Sequence, residues 1–199
     1  MSKALDLARE LVKKLEEEEK DNKIQLSELN PGDAFKVEEY DFIVLEQENG
    51  TTKVISKDIM AENVCFDKNT RDYNKSDLKK MIETDIQTII ENAVGGENLV
   101  EHTASLMSAD MQNEFGDLVC KIRPITFDEV RLYNNLLVNK NLNSWWWTCT
   151  PWSTEDRGWN YSIAVVAPSG DFHDCNYGYG RGVRPFCILK SKIFVSKGK

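Results

Sequence analysis

The segment SWWWTCTPWSTEDRGWNY, Ser144–Tyr161, contains all five tryptophans of the 199-residue chain. Successive side chains of a β-strand point to opposite faces of its sheet, so three consecutive tryptophans place indole rings on both faces. Because tryptophan buries a large apolar area, we expect at least one of those faces to be core. The rings that form it are Trp145 and Trp147 or, alternatively, Trp146.

Beyond Pro151 the composition changes to that of a loop. Tryptophan and tyrosine combine a large contact area with few rotatable bonds and one polar group, and they dominate binding surfaces. Two tryptophans lie among charged and small polar residues after Pro151, and a second aromatic and polar stretch, DFHDCNYGYGR, follows at 171–181. The predicted ligand-binding residues are Trp152, Trp159, Asn160, Tyr161, Asp171, His173, Asp174, Asn176, Tyr177, Tyr179 and Arg181.

Charge and hydropathy exclude several classes of partner. The net charge is −8, and residues 1–100 carry 14 Lys and Arg against 23 Asp and Glu. Without a basic stripe to neutralise phosphates, a nucleic-acid partner is not expected. No apolar run approaches the ~20 residues of a membrane-spanning helix, so membrane insertion is not expected. The charged N-terminus has no apolar secretory core, which predicts synthesis in a cytoplasm.

Groups that could carry catalysis are few. The histidines are His102, in a polar stretch, and His173, two residues before Cys175. A Cys–His pair can create a thiolate nucleophile, but no third group that would orient this pair is identifiable. The five cysteines are irregularly spaced and include no CxxC pair, which is typical of buried thiols. We therefore expect no catalytic residue, no metal site and no cofactor.

The pattern of apolar residues predicts two units. Residues 1–22 are expected to form an amphipathic helix, capped by Ser2, which either packs on its own domain or serves self-association or attachment. Residues 23–199 are expected to form one domain of short antiparallel strands. Each unit has an apolar helical stripe. In the first unit it is Leu5, Ala8, Leu11, Val12 and Leu15, and in the second it is Leu78, Met81, Ile82, Ile86, Ile89 and Ile90.

Turn and capping residues set the order of elements in the second unit. Asn30-Pro31-Gly32-Asp33 and Glu48-Asn49-Gly50 predict a three-stranded meander. Ser76 and Thr126 are predicted helix caps, Gly95-Gly96 ends the first of these helices, and residues 97–116 are predicted to be mostly irregular. The predicted strands are 34–37, 41–46, 52–56, 117–123, 145–148, 163–166, 172–173, 183–189 and 193–195.

Three C-terminal motifs carry a resemblance to a known family. They are Trp146-Trp147-Thr148-Cys149-Thr150-Pro151, then Ser169-Gly170, then Gly182-Val183-Arg184-Pro185. This order resembles the C-terminal half of a bacterial and phage domain-of-unknown-function family. That family is similar to the C-type lectin fold, in the branch of formylglycine-generating enzymes and of the variable proteins of diversity-generating retroelements. In the GVRP motif, Arg184 is expected to bind neighbouring carbonyls or a carboxylate.

The resemblance implies an α+β, C-type lectin-like domain with two helices and long C-terminal loops. It implies a non-enzymatic module, encoded by a phage or prophage, that binds a protein or surface-glycan ligand and is virion-associated in that setting. The loops at 160–162 and 172–181 are similar to the positions that retroelement proteins diversify. One alternative is a copper oxidase of the formylglycine-generating type with Cys175 and Cys187 as thiolates. Another alternative is a structural component of a virion or particle.

Overall fold

Short turns create an antiparallel meander in the larger sheet. In the computed structural model, which describes Leu5, residues 7–14 and residues 22–198, Asn49 and Gly50 both have positive φ, 50° and 77°. Asn and Gly tolerate that conformation and so favour a tight hairpin. The predicted meander is confirmed, with strands β2 (Ala34–Val37), β3 (Tyr40–Glu48) and β4 (Thr51–Ser56).

The meander extends on both sides into a seven-stranded antiparallel sheet. Its order is β1-β14-β2-β3-β4-β13-β8, so the first and last described strands are neighbours. The four additional strands are β1 (Lys23–Gln25), β8 (Ile122–Pro124), β13 (Pro185–Lys190) and β14 (Phe194–Lys197). Strand β1, which begins at Lys23, is thus held at the edge of the sheet by the C-terminal strand.

A second sheet holds most of the C-terminal segment. Its order is β11-β10-β9-β12-β5, and only the β12–β9 pairing, at Gly182 and Trp146, is parallel. Gly182 also leaves room for Ile59, because a Cβ at this position would lie 2.6 Å from the Ile59 side chain. The strands are β5 (Ala61–Cys65), β9 (Trp146–Pro151), β10 (Ser162–Val166), β11 (Phe172–Asn176) and β12 (Gly180–Val183).

The middle of the chain agrees with the prediction in part. Residues 97–116 are mostly irregular, as predicted, but they include β6 (His102–Ser105), which pairs with β7 (Asp117–Cys120) in a separate two-stranded sheet. The single strand predicted at 117–123 is wrong, since the chain leaves β7 at Lys121 and enters β8 in the larger sheet. Strand β8 is stabilised by β13, a distant partner that local patterning does not show.

The helices follow their capping residues. The Ser76 side chain accepts the Lys79 amide at the start of α2 (Asp77–Met81), which continues through a π-helical turn (Ile82–Ile86) into α3 (Gln87–Val94). Gly95 ends α3 with φ 83°. Thr126 and Glu129 form the predicted capping box of α4 (Phe127–Leu137). Residues 7–14 form α1, and each of them is exposed; Ser2 and Leu15 lie outside the described residues.

The core has two parts, one on each face of β9. Trp147 belongs to the larger cluster, which includes the buried residues of α2 and α3, whereas Trp146 packs with α4 and Phe186. Both rings are completely buried, and Trp145 is half-buried against the larger cluster. Core rings therefore lie on both faces of β9, whereas the sequence predicted Trp145 and Trp147 or, alternatively, Trp146. The reason is that β9 is a central strand covered on both sides.

The protein is thus a mixed α/β fold built mostly of antiparallel sheets. Among the described helices, none is both long and apolar enough to cross a membrane.

Candidate functional site

Arg184 attaches the core of the second sheet to the surrounding elements. Its guanidinium donates to the carbonyls of Ser56 and Leu137, each at 3.0 Å, and lies 4.8 Å above the Trp146 ring. The expectation of carbonyl partners is confirmed. Burial lowers the Arg184 pKa to about 10, and the charge of Asp58 opposes this shift only in part. The Leu137 carbonyl is at the end of α4, where a cation is favoured, so the GVRP motif holds the sheet against the helix.

An aromatic surface lies where β9 leaves the core. Trp152 has ring centroids 6.3 Å from Phe127, 6.4 Å from Trp159 and 6.3 Å from His173, with the imidazole stacked at 11°. Phe172 packs edge-on against Phe127 at 4.8 Å. We call these five residues the aromatic shelf. Trp159 is 40% and Phe172 47% exposed, so the shelf presents ring surface to solvent.

Beside the shelf, two tyrosines form the wall of a polar cleft. The rings of Tyr161 and Tyr177 lie 6.3 Å apart. They line a cleft of about 270 Å³ together with Asn160, Arg71 and Glu114. We call it the tyrosine cleft. Here the structure brings together three residues that the sequence predicted as ligand contacts, Asn160, Tyr161 and Tyr177.

Arg71 fixes the floor of the tyrosine cleft. Its side chain is buried and donates to both carboxylate oxygens of Glu114, at 2.7 and 2.9 Å, and to the Ser153 carbonyl at 2.7 Å. The guanidinium also lies 5.2 Å from the Phe115 ring centroid. Three chain segments that are far apart in sequence therefore meet at one cation. A bidentate arginine–carboxylate pair holds such an arrangement in one geometry.

A carboxylate fixes the outer part of the same loops. Asp110 accepts hydrogen bonds from Ser108, Ser153 and Arg157. Burial opposes ionisation of Asp110, but these donors together lower its pKa to about 2. Gly158, with φ 83°, then turns the chain toward Trp159. The loop that carries Trp159 and Tyr161 is thus attached at its start.

The other predicted ligand residues are less central. Asp171 is exposed in the β10–β11 turn and accepts from Ser169, and Asp174 binds the Ser162 hydroxyl at 2.9 Å and His173 at 2.8 Å. Asn176 accepts the Gly178 amide, and Tyr179 is exposed. Arg181 is half-buried and donates to the Gly180 carbonyl. Of these residues, Asp174 contacts the shelf, through His173.

The cysteines lie inside the sheets. Burial raises the pKa of Cys120 to about 11 and of Cys149 to about 12, and it also raises the pKa values of Cys175 and Cys187. Raised thiol pKa values disfavour the thiolate, which is the form that attacks or binds metal. Within residues 5, 7–14 and 22–198, no group of three or more His, Cys, Asp or Glu side chains is placed to hold a metal ion.

Sequence reasoning missed Phe127, Phe172, Arg71 and Glu114. Phe172 lies in the aromatic and polar stretch 171–181, and that position was the available signal in the sequence. Phe127 follows the helix cap Thr126, a position at which a phenylalanine indicates a core residue. The Arg71–Glu114 pair joins positions 43 residues apart, and no local pattern marks such a pairing.

The comparisons with known proteins add no family assignment, because no family model, curated protein or solved structure matches this chain.

Proposed function

We propose that the chain is a non-enzymatic binding module of C-type lectin-like fold that presents the aromatic shelf and the tyrosine cleft to a protein or surface-glycan ligand. The observation that carries the proposal is the exposed aromatic surface itself. Trp159 packs on the half-buried Trp152 and Phe172 packs on the buried Phe127, yet Trp159 stays 40% and Phe172 47% exposed. An apolar patch rimmed by polar groups is typical of an interaction site.

The geometry supports binding in a second way. The shelf and the tyrosine cleft are joined by the short segment Trp159–Tyr161, and Arg71 and Asp110 hold its supporting loops. A surface fixed before binding loses less conformational entropy when a ligand arrives. The shelf offers flat rings, and the cleft offers hydroxyl, amide and carboxylate groups. Both sugars and protein side chains use this combination.

The lectin-like assignment rests on the motifs and on architecture. Short strands in two main sheets and helices packed on them are features that the resemblance implies. The expected long C-terminal loops are reduced to one, residues 152–161 between β9 and β10, because 172–176 forms strand β11 and the later connections are short turns. In the same proposal the gene belongs to a phage or prophage, the protein is made in the cytoplasm and becomes virion-associated, and helix α1 serves self-association. Related sequences that differ mainly at 160–162 and 172–181 would support a diversified ligand surface, whereas evenly scattered differences would count against it.

The binding proposal is tested with a double variant, Trp159→Ala with Tyr177→Ala. The fluorescently labelled full chain is applied to an array of defined glycans and to a displayed peptide library. We expect the wild type to bind selected members and the variant to bind them roughly ten-fold or more weakly. Thermal unfolding should change little.

Leu132→Ala provides the matched control, because Leu132 is an exposed apolar residue outside the shelf and the cleft. It should bind as the wild type does. Equal binding by wild type and double variant would contradict the proposal, as would global unfolding of the double variant.

A further inference from the structure

The tyrosine cleft adjoins a second, larger cleft. The second cleft has a volume of about 390 Å³, and Glu114 and Glu155 line both clefts. Asp156 and Arg157 line only the second one. At about 270 Å³, the tyrosine cleft is slightly smaller than the roughly 300–1,000 Å³ of sites for drug-sized molecules. It is therefore suited to a single side chain of a larger ligand.

The charge around the tyrosine cleft favours a cation. Arg71 is paired with Glu114 at 2.7 Å, and Arg157 is paired with a carboxylate of the same loops. Glu155 and Asp156 are exposed, and neither makes an ion pair within the part of the chain that the structure describes. An anionic ligand group would meet two unpaired carboxylates here, whereas a cationic group would be attracted by them.

Two tyrosine rings add a second attraction for a cation. The ring centroids of Tyr161 and Tyr177 lie 6.3 Å apart, and the backbone fixes this pair because the Tyr177 amide donates to the Tyr161 carbonyl at 2.9 Å. Tyr177 is half-buried and packs on the larger core cluster, whereas Tyr161 is 53% exposed. At this spacing one cation can lie within about 6 Å of both centroids, which is the range of cation–π attraction. The two rings can thus hold one cationic group together.

The protein already holds one guanidinium of its own with the same two kinds of group. Arg71 donates to both carboxylate oxygens of Glu114, and its guanidinium lies 5.2 Å from the Phe115 ring centroid. A planar guanidinium binds a carboxylate and stacks on a ring at the same time, which a compact ammonium does less well. Glu155 and the two tyrosine rings offer this combination to a guanidinium from outside the chain.

We propose that the tyrosine cleft binds an arginine side chain of a protein ligand, with the guanidinium against the rings of Tyr161 and Tyr177 and paired with Glu155. This inference rests on the proposed function, because it names the ligand chemistry at one of the two surfaces of the binding module. It assigns a protein, and not a glycan, to the tyrosine cleft.

The experiment titrates the isotope-labelled full chain with two small probes and follows the backbone amide signals of residues 160, 161 and 177 by NMR. The probes are N-acetyl-arginine N-methylamide and the matching citrulline compound, which has nearly the same shape but no charge. We expect the arginine probe to shift these signals and to bind roughly five-fold or more tightly than the citrulline probe. Both the ring attraction and the ion pair require the positive charge.

Four variants assign the contacts of the arginine probe. Tyr161→Leu and Glu155→Gln should each weaken its binding roughly two- to five-fold. Tyr161→Phe should bind it as the wild type does, because the aromatic ring is kept. Glu28→Gln is the matched control, since it removes one negative charge at an exposed position outside the cleft, and it should bind normally. All the substituted residues are exposed, so the unfolding temperature should change little.

Three results would overturn the proposal. The first is equal binding of the arginine and citrulline probes. The second is a loss in Glu28→Gln as large as that in Glu155→Gln, which would indicate a general attraction to an acidic protein. The third is a loss in Tyr161→Phe as large as that in Tyr161→Leu, which would favour hydrogen bonds of the hydroxyl, as a glycan makes them.

The arginine assignment and the proposed function can fail separately. Array ligands that the double variant loses, together with an arginine probe that binds no better than citrulline, would overturn the arginine assignment alone. Array ligands that the wild type and the double variant bind equally, together with an arginine probe that prefers the cleft as expected, would contradict the proposed function alone.

Discussion

Replacing Arg71 with lysine should loosen the loops of the tyrosine cleft while keeping the positive charge. The arginine makes two bonds to Glu114 and one to the Ser153 carbonyl, in different directions. A lysine ammonium is a compact charge that cannot reproduce this planar fork. It is expected to keep one partner and leave the other unpaired, and a lost hydrogen bond to a charged group costs about 1.5–3 kcal/mol. With a buried carbonyl left unpaired, the expected loss of unfolding free energy is about 2–4 kcal/mol.

Urea-induced unfolding, followed by tryptophan fluorescence, measures this loss. Arg157→Lys is the matched control, because Arg157 contacts Asp110 in the same loops but its side chain is 50% exposed. An exposed ion pair contributes about 0–1 kcal/mol, so the control should change little. The Arg71→Lys protein should also bind any ligand identified for the wild type less tightly. Equal and small losses in both variants would refute the reasoning that burial makes Arg71 the organiser of the cleft.

Three further results are expected from the buried groups. Glu129→Gln leaves the buried Arg123 with a neutral partner and should cost about 2–4 kcal/mol at pH 7. Burial opposes ionisation of Glu129, but Arg123 and the Thr126 donors lower its pKa. The ion pair therefore stabilises the wild type above the unfolded-state pKa of about 4.3, and the difference in unfolding free energy between the two proteins should shrink when urea unfolding is repeated below that pH. Iodoacetamide at pH 8, read by mass spectrometry, should label Cys65 before any other cysteine, since the other four are buried; early labelling elsewhere would contradict the burial. Trp146→Ala should cost about 3–5 kcal/mol in thermal or urea unfolding and Trp159→Ala less than about 1 kcal/mol, and similar losses would contradict the assignment of one ring to the core and the other to the surface.

Local chemistry explains why parts of the fold could be predicted. The meander follows from Asn49-Gly50, and α4 follows from the Thr126–Glu129 capping box, because both signals act between residues close in sequence. Strand β1 has only three residues and forms because β14 is next to it. Strand β5 pairs with β12, more than a hundred residues later. Such strands are stabilised by partners that single-sequence patterning does not identify.

The candidate site, like the fold, could be predicted only where the signal is local in sequence. Trp152, Trp159, Tyr161 and Tyr177 could be predicted as a group, because aromatic residues among Asn, Ser, Gly and charged neighbours are typical of binding loops. Their division into a shelf and a cleft could not. That division depends on Phe127, which α4 supplies, and on a buried cation from a distant loop.

The tryptophan-rich segment changes role at Pro151. Before it, Trp146 and Trp147 are fully buried and fix β9 between the two core clusters; after it, Trp152 is half-buried and Trp159 is 40% exposed. Exposing a large aromatic ring forgoes the stabilisation of about 25 cal/mol for each Å² that burial would provide. Because the core is closed on both faces of β9 without the Trp159 ring, folding does not account for that exposure. Under the proposed function, contact with a ligand would account for it, and such contact is compatible with substitution at 160–162 while the strand that supports the loop stays the same.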